Sequence, residues 1–210
     1  MTFSSCLTNQ DKVIVLDASV IINLLATGYA TEILQALNVS LFVTVHVVRE
    51  IEQGATSGRQ ESKLLDELIG ARFLQIEELT GPSLEFFSQL VSGSTADTLG
   101  DGEAATLSFA YCSGFAAAID EKKATRIAGE RFGTTKLVTT IDILSHSRVR
   151  TLLGKQALAN ATFQALLVAR MQVRRHQLDW VTQLIGENNL KACESLRRYT
   201  KGKLESNSAS

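Results

Sequence analysis

Four carboxylates stand where an acid needs a reason. Asp17 closes the apolar run KVIVLD, Asp120 closes FAAAID in the same way, Glu50 lies in VVREIEQ, and Glu103 opens GEAATLSFA. An Asp beside an apolar segment is almost never fully buried unless it is paired, caps a helix or faces a cation. Four such groups brought together would repel one another unless a positive ion neutralised them, and an all-oxygen donor set suits magnesium or manganese. Ions of that kind activate water and stabilise the leaving oxygen when a phosphodiester is cleaved. This chemistry needs neither imidazole nor thiol: His46, His146 and His176 show no ligand-like spacing, and Cys6, Cys112 and Cys193 lack the pairing of a zinc site or a disulfide framework. The three cysteines read as reduced, mostly packed thiols.

The elements that must position these acids alternate. KVIVLD, LFVTV, the strand within RFLQIEEL, FAAAID and TKLVTT read as strands, and SVIINLLAT, ATEILQALN, HVVREIEQG, ESKLLDELIG, PSLEFFSQLV, GEAATLSFAYCSG and EKKATRIAGERFG read as helices between them. Strands separated by helices predict a parallel α/β sheet. Binding sites in such sheets form outside the carboxyl ends of the strands, so Asp17 and Asp120 meet there if their strands are neighbours. From about Ile141 the strands stop. IDILSHSRVRTLLG, QALANATFQALLVARMQ, HQLDWVTQLIGEN and LKACESLRRYTK all fit helix periodicity and predict a helical C-terminal extension packed on the α/β domain. The divisions expected are 1–153 for the α/β domain, 154–204 for the basic helices and 205–210 for a disordered tail.

The length of 210 residues and a 45% hydrophobic fraction suit one sizeable core. The polar start MTFSSCLTNQDK is no signal peptide, and no uncharged apolar run is long enough to span a bilayer, so a cytoplasmic protein without a membrane partner is expected. The net charge of −1 hides an asymmetry: residues 1–143 hold 10 Lys or Arg against 18 Asp or Glu, and residues 144–210 hold 11 against 4. An acidic body with a basic C-terminal third suggests a polyanionic partner, a basic helical face exposed to solvent being the alternative. Arg170, Arg174 and Arg175 are the candidates for nucleic-acid contact, Arg170 and Arg174 being four apart on one expected helical face.

LDASVIINL, VVREIEQG, GDGEAATLSFAYCSGFAAAIDEKKATRIA and LVTTIDIL, in that order, resemble the successive motifs of the PIN-domain family, which includes VapC-type toxin ribonucleases. The resemblance covers about residues 12–153. It implies a three-layer sandwich with a central parallel sheet flanked by helices. It also implies a catalytic set of Asp17, Glu50, Glu103 and Asp120, with Asp17, Glu103 and Asp120 as Mg²⁺ or Mn²⁺ ligands. Ser19, Thr139, Thr140 and Asp142 are the supporting polar residues. The activity implied is metal-dependent endonucleolytic cleavage of single-stranded RNA, with homodimerisation, an antitoxin or other protein partner, and a toxin role as further implications. The basic helices beyond about residue 154 depart from the compact toxin pattern.

Several residues admit a plainer role. Asp101 suits a helix cap or turn, Asp142 suits a helix N-terminus as well as a metal shell, Asn23 is read as packing within the first helix, and Trp180 as core rather than as a base-stacking platform. A non-catalytic RNA- or protein-binding module is the competing class, although a binder has no need of clustered negative charge. A haloacid-dehalogenase-like phosphatase wants a second Asp two residues after the first, and that position is Ser19.

Overall fold

Runs of Val, Ile, Leu and Ala too short for helices form five strands among the described residues: β1 Val13–Leu16, β2 Ser40–Thr44, β3 Gln75–Glu77, β4 Ala116–Ala118 and β5 Leu137–Val138. The structure is a computed structural model and describes residues 3–54, 59–94 and 96–196. All five strands pair in parallel, in the order β3-β2-β1-β4-β5. Successive side chains point to opposite faces, and the core divides accordingly. Ile14, Leu16, Leu41, Val43, Ala116 and Ala118 join one buried cluster, whereas Val15, Ala117 and Ile119 join the other. Two buried faces need two layers of helices, which gives the three-layer sandwich expected.

The helices are α1 Ala18–Ala26, α2 Ala30–Leu37, α3 Val45–Gly54, α4 Arg59–Gly70, α5 Pro82–Val91, α6 Asp101–Ser113, α7 Lys122–Arg131, α8 Thr140–Ser145, α9 Ser147–Val168, α10 Leu178–Ile185 and α11 Glu187–Ala192. No single helix among the described residues is long and apolar enough to cross a membrane. The chain runs outward from β1 in both directions, to β2 and β3 on one side and to β4 and β5 on the other. The crevice between β1 and β4 is therefore the switch point at which such sheets bind ligands. Leu16 is in register with Ala118 and the Asp17 amide bonds the Ala118 carbonyl at 3.1 Å, so Asp17 and Asp120 emerge side by side.

The C-terminal helices share the first core. Leu158, Ala165, Leu166, Val181, Ile185, Cys193 and Leu196 are buried in it, and α9 packs on α1 and α2. Gly154, with φ 68°, breaks α9. Two expectations are corrected. The helix expected through ARMQ ends at Val168, because Arg170 takes a left-handed conformation (φ 54°) and the Met171 amide reaches back to the Ala165 carbonyl at 3.1 Å. That bond reaches back six residues and closes the helix end, with Arg in the left-handed position where Gly is usual. Residues 171–173 then run extended, with Met171 and Val173 buried and Gln172 exposed between them. The cysteines are free as expected, but only Cys193 is packed; Cys6 and Cys112 are exposed.

The polar N-terminus is docked. Leu7 is buried, Ser5 Oγ donates to the Asp142 carbonyl at 2.8 Å, and Phe3 lies 6.0 Å from the half-buried Trp180, ring centre to ring centre. The expected tail at 205–210 and the basic residues Arg197, Arg198, Lys201 and Lys203 lie outside the described residues.

Candidate active site

Asp17 follows β1 and is the N-cap of α1, so one side chain both starts a helix and faces the strand edge. Its carboxylate accepts from the Ser19 amide at 3.2 Å and the Ser19 hydroxyl at 2.6 Å. Burial raises its pKa to about 6, the Ser19 hydrogen bonds oppose the rise, and the negative charge of Glu50 adds to it.

Asp120, one residue beyond Ile119, is held by three donors. The Thr140 amide bonds Oδ1 at 2.9 Å, the Thr140 hydroxyl bonds Oδ2 at 2.5 Å, and the Asn23 amide bonds Oδ2 at 2.7 Å. Burial pushes this carboxyl up as well; the three hydrogen bonds pull it back, and the Asp17 charge pushes again. Asn23 is thus part of the site rather than packing within α1. Its place on the buried stripe of α1 concealed this, because a polar residue on such a stripe must find a partner but does not name it.

Glu103 is on the first turn of α6 and reaches back to the Gly100 amide at 3.3 Å. Its pKa rises to about 7, chiefly by burial and then by the Asp17 charge, with Glu121 and Glu50 adding to it. Glu50, exposed on α3, accepts from the Gly102 amide, and burial of its carboxyl together with the Asp101 charge raises its pKa. A Cβ at Gly102 would overlap Oε2 of Glu50, so this position must be glycine for the carboxylate to lie where it does. Gly102→Ala is expected to lower catalysis at least about tenfold, since a displacement of about 1 Å in a reacting group is costly. The melting temperature should hold, because Ala favours a helix; single-turnover rates set beside thermal melts check both.

Two of the other acids are engaged elsewhere. Asp101 is the exposed first residue of α6. Glu121 caps α7 and accepts from Gln172 at 3.0 Å. Asp142 belongs to a helix N-terminus: Oδ2 takes the Thr139 amide and hydroxyl at 2.9 and 2.7 Å, and Oδ1 takes the Cys6 amide at 3.0 Å. Of the two threonines, Thr140 serves Asp120 and Thr139 caps α8.

The basic residues are not arranged as expected. Arg170 and Arg174 share no helical face. Arg170 lies 3.4 Å from Glu194 in an exposed pair, and Arg174 turns inward, donating to the Asp120 carbonyl at 2.8 Å and the Thr125 hydroxyl at 2.7 Å. Arg175 is exposed on a short 3-10 turn. The buried Gln177 donates to Thr139 Oγ1 at 2.8 Å. The segment after α9 therefore braces the carboxyl edge of the sheet from outside, a role that no spacing in the sequence signals.

The four acids form no ion pair among the described residues. Each instead rests on neutral donors of its own neighbourhood, and no three carboxylate, imidazole or thiolate groups among the described residues come together as a ready ion-holding set. The donor chemistry fits a hard divalent ion. Mg²⁺ commonly takes one or two carboxylates and keeps its waters, and so needs no closed cage.

A parallel sheet with acids at its switch point defines an α/β protein with a candidate polar site, and the family comparison narrows the class. The family described as DUF3368: PIN domain matches residues 13–187, and the chain belongs to the PIN-domain family. The match includes most of the C-terminal helices. No curated protein matches the chain. Among solved structures, the crystal structure of VapBC2 from Rickettsia felis bound to a DNA fragment from their promoter is similar, with 14% identity and a TM-score of 0.43, over 60% of this chain and 98% of that one.

Proposed function

We propose that this chain is a divalent-metal-dependent endoribonuclease that hydrolyses phosphodiester bonds in single-stranded RNA. The observation that carries the reading is that Asp17 and Asp120 follow the carboxyl ends of neighbouring β1 and β4, that Glu50, Glu103 and Asp120 each interact with Asp17 by charge, and that none of the four has a cationic partner among the described residues. Their mutual charges act against ionisation there. Asp17, Glu103 and Asp120 would hold Mg²⁺ or Mn²⁺, which when bound supplies an activated water and charge stabilisation at the phosphate. Ser19 fixes the direction of Asp17, and Thr140 and Asn23 fix that of Asp120. Glu50, exposed and seated on the Gly102 amide, is placed to take the proton of the attacking water at its carboxylate. A homodimer, an antitoxin as protein partner, a toxin role and a cytoplasmic location belong to the same reading and rest on family membership alone.

The test is cleavage of a pool of end-labelled single-stranded RNAs by the purified chain with Mg²⁺, Mn²⁺ or EDTA. Cutting in either metal and none in EDTA is expected. RNA retained without cutting in any of the three would turn the reading to a non-catalytic RNA-binding module.

A further inference from the structure

Residues three and four apart share a helix face, and α3 carries His46, Arg49, Glu50 and Gln53 on one such stripe. With Gly100 and Asp101 at the start of α6 they line a cleft of about 590 Å³, within the range of small-molecule sites. Glu50 belongs both to this stripe and to the proposed set of acids, so the cleft and the site share a side chain. Arg49 is the one basic side chain besides His46 among the lining residues. It is exposed and makes no ion pair or hydrogen bond with the described residues. The ring of His46 lies 4.6 Å from that of Phe87, and its buried Nδ1 has no partner among the described residues.

A polyanionic strand crossing an acidic cluster needs a cation beside the cut as well as at it. An ion held by the acids answers for the scissile phosphate only. The next phosphate along still meets Glu50 and Asp101, and a free guanidinium offers it a forked, always-charged donor. Arg174 turns inward and Arg170 is paired with Glu194, so neither is free for that phosphate. We propose that the cleft between α3 and α6 receives the nucleotide flanking the scissile bond, with Arg49 binding its phosphate and His46 hydrogen-bonding its sugar or base. The inference rests on the ribonuclease reading.

The experiment measures kcat and KM for an oligoribonucleotide with Mg²⁺ at several salt concentrations, for the wild type, Arg49→Ala, Arg49→Lys and Lys63→Ala. The last removes a charge from the exposed Lys63 of α4, which does not line the cleft. Arg49→Ala is expected to raise KM about tenfold or more, as loss of a charged hydrogen bond does, and to lower kcat much less. The dependence of log KM on log salt should flatten by about 0.7, the single-strand value for one phosphate contact. Arg49→Lys should keep the salt slope, and Lys63→Ala should match the wild type. His46→Ala should alter nucleotide preference at one position beside the cut in a randomised pool, leaving the salt slope intact. A wild type that cuts while Arg49→Ala behaves like Lys63→Ala would overturn the cleft assignment alone. A wild type that cuts no RNA would bring down the ribonuclease reading, and the cleft with it.

Discussion

Asp17→Asn is expected to abolish metal-dependent cleavage and, in EDTA at neutral pH, to raise the melting temperature. Both effects come from one charge. Asn is as good an N-cap as Asp, so α1 keeps its start, while the variant loses the proposed metal ligand and relieves its neighbours of a buried negative charge. The sign follows from the proton balance. The Asp17 pKa is about 6 in the folded chain against a model value of 3.8, so between those values the folded state binds more protons than the unfolded one. Stability in EDTA therefore falls as pH rises from about 4 to 7, and the full cost, on the order of 1–3 kcal/mol, is present above pH 7. Each kcal/mol moves the melting temperature by about 2–4 °C in a chain of this size. Melts from pH 4 to 8 should show the variant ahead at pH 7.5 and level with the wild type near pH 4. Mg²⁺ should then stabilise the wild type much more than the variant. Coincident curves at every pH would mean that Asp17 carries no electrostatic cost, and the site would lose its central member.

Thr140→Val is expected to lower metal affinity or cleavage about 10–100-fold, the usual cost of removing a group that orients a ligand. Val fills nearly the same volume but lacks the hydroxyl that meets Asp120 Oδ2 at 2.5 Å, leaving the Thr140 amide and Asn23 as the remaining donors. The buried carboxyl would be pushed further toward its neutral form, and its direction would loosen. Thr140→Ser restores the hydroxyl and should restore most of the activity. Mg²⁺ titration of cleavage, with thermal melts alongside, separates this from simple unfolding; equal activity of Val and Ser variants would place the hydroxyl outside the catalytic arrangement.

The edge positions of Asp17 and Asp120 were legible because an apolar run of strand length that ends in Asp puts that Asp at the sheet edge, and the order of the elements then brings Asp17 beside Asp120. The stop at Arg170 was not legible, since left-handed helix ends are marked in sequence by Gly and here the position is Arg. That single conformation turned the expected face of Arg170 and Arg174 into a brace on Asp120. The place of Asp142 at a helix N-terminus was legible, but its bond to Cys6 was not. Cys6 lies in a polar segment that propensity leaves unassigned, and sequence periodicity carries no information about pairs so distant along the chain. Asn23 falls between: its burial was readable, its partner was not.

The brace from Arg174 and Gln177 has a consequence for the order in which the protein is made. Asp17 leaves the ribosome early, yet the donors that steady the Asp120 backbone and Thr139 come from near the end of the chain. At about 5–20 residues per second, on the order of ten seconds of synthesis separate the two. Asp120 and Thr139 are made in the later part of that interval and stay unbraced until Arg174 and Gln177 follow. Completion of the last third thus coincides with completion of their support, and the proposed nuclease reading gives that timing a use beside a messenger and ribosomal RNA.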